Sequence, residues 1–361
     1  MVIEQYTIAT TAKYNFPQPT IDAVFPQRFL EQSIRTLTHV QDQPLQLNQQ
    51  TIQQAATTEL YPSKFQLRLS PLLLKPDHEE TPVAACDTST IKIGDTQTGI
   101  LVAIRGANVL RQHRAYTYTR FGPFIFHVTE DTRDGISGTL QGESSAAWLD
   151  HNRLSLTSLF QNPTRISSIL ERWLQASLSR TISNGIILFD GSLTAGTSDT
   201  SIERLKTILS SAREHGDVVL AFSKMTNLRI NGHLITDVSL ERRDPYLLET
   251  AGLRPKPPIV LLGEVYVARL SPESYSFRLD IDKERSCEQR TEAVEKLLGN
   301  DLFSQSYPET LRLAHILCTF TATEVLAMQH FVARKYGFNI INRPDMHRLL
   351  FGPFGRGETY S

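Results

Sequence analysis

Residues Asn184–Leu193, NGIILFDGSL, constrain this chain more than any other stretch. Asn184-Gly185 is a turn signal, and Ile186, Ile187, Leu188 and Phe189 follow as an unbroken apolar run. So short an apolar run between turn signals reads as a strand buried on both faces, at the centre of an α/β sheet. It ends on Asp190, followed by Gly-Ser. A carboxylate at the end of a buried strand is costly unless a partner compensates it. The carboxyl ends of strands in open α/β sheets are also where ligands bind. The plainer alternative is that Asp190 caps a helix starting near Thr200, or fixes the turn.

The flanking sequence supplies helices and strands in a regular order. Pro163 opens a helix to about Arg180, with Ile166, Ile169, Leu170, Trp173, Leu174 and Leu178 as its apolar face and Glu171 bordering that face. A helix from about Ser201 to Glu214 and a second buried strand, Asp217–Phe222, complete a β-α-β unit that ends in Ser223-Lys224. Upstream, alternating β-rich segments predict three antiparallel strands over about Pro82–Ile93, Gly99–Val109 and Arg114–Val128. The first carries Asp87 in VAACDTS. Near the start of the chain, Arg28–Val40 has a helical period.

Downstream, residues 225–258 are polar, with Pro255, Pro257 and Pro258, and suggest an insertion or lid. Ile259–Leu270 and Tyr275–Ile281 read as another pair of strands, Cys287–Leu298 as a short helix, and Tyr307–Tyr336 as one long or two shorter helices. Meander, helix, central strand, helix and strand together resemble the ribonuclease H-like architecture. The expected fold is α/β: a ribonuclease H-like mixed five-stranded sheet with flanking helices, plus additional β and α elements. The expected division is an N-terminal extension over 1–78, a main domain over 79–345 and a flexible tail over 346–361.

Composition excludes several classes. A chain of 361 residues, 40% hydrophobic, can bury a substantial core. Its formal net charge of −1 is not the footprint of a strongly basic nucleic-acid binder, although 37 Lys and Arg allow a local basic groove. Cys86, Cys287 and Cys318 are odd in number and far apart, which supports neither a disulfide framework nor a zinc cluster. No run approaches the ~18–20 apolar residues of a membrane span, and the first residues lack a signal-peptide core. The expectation is a soluble cytoplasmic protein with no membrane partner.

In a ribonuclease H-like sheet the first and fourth strands are neighbours, so Asp87 and Asp190 should lie side by side. Such a pair is self-repelling, and a divalent cation with hard oxygen ligands, Mg2+ or Mn2+, resolves the conflict. Glu171 can supply a third carboxylate; Glu143, in a loop after the meander, is its rival. Two metals held this way can activate water and stabilise the leaving oxygen of an in-line phosphoryl displacement.

An ordered set of motifs now resembles the NurA family of DNA-end-processing nucleases. It comprises strand-borne Asp87 with Thr88-Ser89, Glu171 in ILERWLQASL, Asp190 in LFDGSL, Lys224 in AFSK, Asp280 in FRLDI, and Tyr307 and His315 in YPETLRLAH. The set covers about residues 80–335. Where the family favours Asp-Gly-Ser at the first acid, this chain has Thr88. The resemblance implies that Asp87, Glu171 and Asp190 are metal ligands, with His315 a further ligand or a proton donor to the leaving oxygen. Lys224 and the Tyr307 hydroxyl would contact phosphate. It also implies Mn2+ or Mg2+ at a two-metal site, 5'-3' exonuclease activity with single-strand endonuclease activity, a homodimer, and DNA-end resection with a HerA-type hexameric ATPase. Bland readings stand beside these: His315 as a satisfied core histidine, Tyr307 as packing, Lys224 as solvated, and Asp280 paired with Arg278 or standing at the rim of the site.

Three other readings stand beside this one. Asp87-Thr88-Ser89-Thr90 and Asp190-Gly191-Ser192 could cradle nucleotide phosphates in an actin- or sugar-kinase-like phosphotransferase, although such proteins usually carry two copies of this core. A haloacid-dehalogenase-type phosphatase is disfavoured because Ser89 stands where its second acid belongs. A non-catalytic scaffold docking a DNA motor is disfavoured by the intact acids.

Overall fold

Three long antiparallel strands, β1 (Val83–Asp95), β2 (Gly99–Gln112) and β3 (Ala115–Thr129), form a meander as the alternating segments predict, the first two slightly longer than expected and the third shifted by one residue. The computed structural model describes residues 24–38, 44–46, 65–129, 164–197, 200–238, 240, 243–272 and 275–341. The central run is β4 (Ile186–Asp190), parallel to both β1 and β5 (Val218–Ser223). The order β3-β2-β1-β4-β5 is the ribonuclease H-like order.

The sheet does not stop at β5. Strands β6 (Tyr246–Ala251), β7 (Gly263–Arg269) and β8 (Phe277–Asp282) continue it antiparallel in the order β8-β7-β6. The stretch 225–258, read from sequence as an insertion or lid, therefore gives a strand to the main sheet. Its apolar alternation is short: Tyr246 and Leu248 face one side, and Leu247 the other.

Six helices are described: α1 (Phe25–Thr38), α2 (Thr164–Thr181), α3 (Ile202–Glu214), α4 (Cys287–Asn300), α5 (Glu309–Cys318) and α6 (Ala322–Tyr336). Alternate residues of the central strands serve two layers. Ala84, Cys86, Ile187, Phe189, Val219 and Ala221 pack with α1, α2 and α3. Val83, Ala85, Ile186, Leu188, Leu220 and Phe222 pack with α4 and α5. Burial of each apolar side chain of β4 contributes roughly 1.5–3 kcal/mol. The spacing of Ile166, Leu170, Leu174 and Leu178 lays one stripe of α2 on the sheet. That approach is close: a Cβ added at Gly106 of β2 would lie 2.8 Å from the Leu174 side chain.

The stretch Glu309–Tyr336 has the length and apolar composition of a membrane crossing. It is nonetheless two helices that break at Thr319–Thr321, because the Thr321 hydroxyl and Glu324 form a capping box that starts α6. Leu311, Ala314, Val325 and Val332 from the two helices are buried in the core.

Candidate active site

Register sets the two acids side by side. In the parallel pairing of β1 with β4, Cys86 lies opposite Phe189, so Asp87 and Asp190 each follow one residue on. Both side chains belong to the set that faces the α4 and α5 layer. Strand β1 runs straight through its acid: Thr88 stays in the strand opposite Gly106, and its N–H donates to Asp87 Oδ1 at 2.7 Å. A β-branched residue such as Thr88 suits that extended backbone.

Strand β4 instead turns at once. Gly191 has φ +111° with nothing near its Cα side, so the backbone angle alone demands glycine. Its N–H donates to Phe222 O at 2.8 Å, and its carbonyl accepts from Ser223 Oγ at 2.6 Å. The Leu193 N–H donates to Asp280 Oδ2 at 3.0 Å. Asp280 is fully buried and held bidentately by Arg278, with both contacts at 2.7 Å. Its geometry is that of a brace for the loop after Asp190, and the pairing with Arg278 allowed from sequence is the one found. Replacing Asp280 with Asn removes the charge that balances a buried guanidinium. The expected cost is about 3 kcal/mol or more, read as a lowered urea midpoint in metal-free protein; an unchanged midpoint would contradict the bracing role.

Asp190 does not cap the following helix. Ser201 does so, its hydroxyl accepting from the Arg204 N–H at 3.2 Å. Asp190 pairs instead with Lys224, whose Nζ donates to Oδ2 at 2.7 Å. Burial first, and then the charge of Asp87, push the Asp190 carboxyl above its ordinary range, while Lys224 works the other way.

His315 on α5 is exposed rather than a core histidine, and its Nδ1 lies 2.7 Å from Asp87 Oδ2. Tyr307 precedes the helix, in a two-residue strand with Pro308, so helical spacing does not relate it to His315. Packing brings it near instead. Its ring lies against Phe222 and Phe277, at 6.1 and 5.4 Å, with Lys224 Nζ 5.5 Å from its centroid. The Tyr307 hydroxyl is buried with no hydrogen-bond partner among the described residues. Burial, then Asp190 and Asp87, push its pKa far up.

Glu171 reaches the same region from the opposite layer. Helix α2 leads into β4 through a short turn, so its N-terminal half stands level with the end of β4 where Asp190 lies. Burial raises the Glu171 carboxyl to about 7; Asp87 and Asp190 add to this and Arg172 opposes it. Its Oε1 accepts from Gln175 Nε2 at 2.9 Å. Between the layers, the buried Cys86 thiol is pushed up by burial and by the charges of Glu171 and Asp87. Glu143, most of residues 1–78 and the tail 346–361 lie outside the described residues.

Three carboxylates acting on one another, two with raised pKa, and an unsatisfied hydroxyl nearby form a donor set of hard oxygens. That set fits a divalent cation of the Mg2+ or Mn2+ kind. Sequence reasoning missed Cys318. Single ligand atoms of Asp87, His315 and Cys318 lie within 4.8 Å of one another. The only sequence signal for Cys318 is the His-x-x-Cys spacing on α5; the ordered motif set joined Asp87 to His315 and stopped short of that cysteine.

No protein-family model matches the sequence, and no curated protein matches it. Among solved structures, the fold is similar to the NurA nuclease from Sulfolobus solfataricus, at 14% identity and a TM-score of 0.47, covering 73% of this chain and 88% of that one. It is also similar to endonuclease V from Streptomyces avermitilis, at 14% identity and a TM-score of 0.31, covering 70% and 85%. Endonuclease V from Bacillus subtilis aligns at 10% identity and a TM-score of 0.32, covering 74% and 88%.

Proposed function

We propose that this chain is a divalent-metal-dependent deoxyribonuclease. The observation that carries the reading is the placement of Asp87 and Asp190 at matching ends of adjacent parallel strands, with Glu171 acting on both from the other layer. In this reading Asp87, Asp190 and Glu171, with His315, hold Mn2+ or Mg2+ in a two-metal site. When bound, the cations supply Lewis acidity to a phosphodiester and an activated water.

The chain's own residues do the rest. Lys224 leaves its pairing with Asp190 when that charge is neutralised, and its ammonium then binds a phosphate oxygen as a point charge. The unsatisfied Tyr307 hydroxyl donates to phosphate. His315, held by Asp87, either completes the metal site or delivers a proton to the leaving oxygen. By the motif resemblance, the protein acts as a homodimer that resects DNA ends 5'-3' with a HerA-type hexameric ATPase, and also cuts single strands. The N-terminal segment before about residue 78 and the tail Phe351–Ser361 are the proposed docking surfaces. A net charge of −1 predicts modest, steeply salt-dependent DNA affinity for the isolated chain.

The test is cleavage of linear duplex DNA with Mn2+, with and without the ATPase and ATP. Metal-dependent cleavage, stimulated by the ATPase, is expected. Stimulation that survives deletion of both end segments would remove the docking proposal only. No cleavage under any condition, together with ATP turnover by the isolated chain, would replace the nuclease by a nucleotide-binding phosphotransferase.

A further inference from the structure

The three carboxylates leave one group at the site unused. Cys318 closes α5 one turn after His315; it is fully buried, and its Sγ donates to the His315 carbonyl at 3.2 Å. Hard-cation chemistry has no need of a thiol there. We propose that Asp87, His315 and Cys318 form a site for a thiophilic divalent cation of the Zn2+ class, which shares Asp87 and His315 with the hard-cation site and so excludes it.

The geometry suits such an ion. Carboxylate, imidazole and thiolate are the usual zinc donors, at about 2.0–2.3 Å, so tetrahedral ligand atoms stand about 3.4–3.6 Å apart. The three atoms here already lie within 4.8 Å of one another, with Asp87 Oδ2 and His315 Nδ1 at 2.7 Å. Adjustments of about an ångström complete the set. Two ligands come from one helix at i and i+3 and the third from β1, so folding alone assembles them. His315 is exposed, its side chain at 51%, which leaves the fourth position to water or solvent-borne ligands. On binding, the thiol proton leaves to solvent and Sγ bonds the metal as thiolate.

The competition with cleavage rests on the nuclease reading, but the cation site does not. The experiment titrates the full chain with Co2+ alone, as a spectroscopic stand-in for Zn2+, and reads near-ultraviolet absorption. One equivalent should produce a thiolate-to-cobalt charge-transfer band. The band should persist in Cys287→Ser, disappear in Cys318→Ser, and need at least tenfold more Co2+ in His315→Ala. Stoichiometric Zn2+ should abolish the band and stop Mn2+-dependent cleavage, with at least tenfold more Zn2+ required to stop it in Cys318→Ser. If circular dichroism shows Cys318→Ser to be unfolded, Asp87→Asn, which keeps the thiol, must weaken Co2+ binding tenfold. No band in the wild-type protein, a band that survives Cys318→Ser, or unchanged affinity in Asp87→Asn would overturn the proposal. A band without DNA cleavage in any metal would retire the nuclease and leave this site standing.

Discussion

In the Asp190→Asn variant, cleavage of linear DNA is expected to fall at least about a thousandfold, because several kcal/mol of metal-derived stabilisation is lost with one ligand charge. The fold should survive, since the side-chain volume is kept and the loop that follows is held by Ser223 and Asp280 rather than by Asp190. Metal-free protein should even melt at a higher temperature than the wild type. The native carboxylate is disfavoured by burial and by Asp87, and this outweighs its pairing with Lys224. Divalent cations should raise the melting temperature of the wild type and not of the variant. Near-wild-type cleavage in Mn2+ or Mg2+ by purified Asp190→Asn would sink the metal-ligand assignment. Asp87→Asn should lose cleavage alike.

Glu171 should reveal itself through pH. Its carboxyl titrates near 7 in the fold, against an ordinary value of 4.5. Between those values the native state binds the extra proton, so this group adds stability as pH falls through that window and costs stability above it. The shift corresponds to roughly 3 kcal/mol at most. Asp217, also raised to about 7, chiefly by burial, obscures the effect in the wild type alone. The difference between wild type and Glu171→Gln isolates it. In chelator, the variant should be more stable at pH 8, and the gap should shrink steadily as pH falls from 7 toward 4.5. A gap that does not change with pH would place Glu171 outside the buried cluster. In the cleavage assay, Glu171→Ala should be inactive and Glu143→Ala active; the reverse would move the third ligand to Glu143.

Much of this was legible locally. The run Ile186–Phe189 between turn signals read as a buried strand, and alternation over residues 82–128 as a meander, since side-chain period follows directly from backbone geometry. Ser201, a good capping residue, opened α3 where the helical pattern began. The extension of the sheet beyond β5 was not legible: β6 has only six residues, and no local signal says which edge a strand joins.

The sequence by itself determined the elements and the acids at their ends, because helix and strand periods and turn chemistry act over a few residues. The strand order read from the sequence already set Asp87 beside Asp190, as the register shows; only the tertiary structure decided which further side chains meet them. Helix α5 brought His315 to Asp87 from 228 positions away, with Cys318 one turn further on, and Tyr307 arrived by packing on Phe222 rather than by helical spacing. Contacts between elements depend on sheet order and layer packing, which no window of sequence contains.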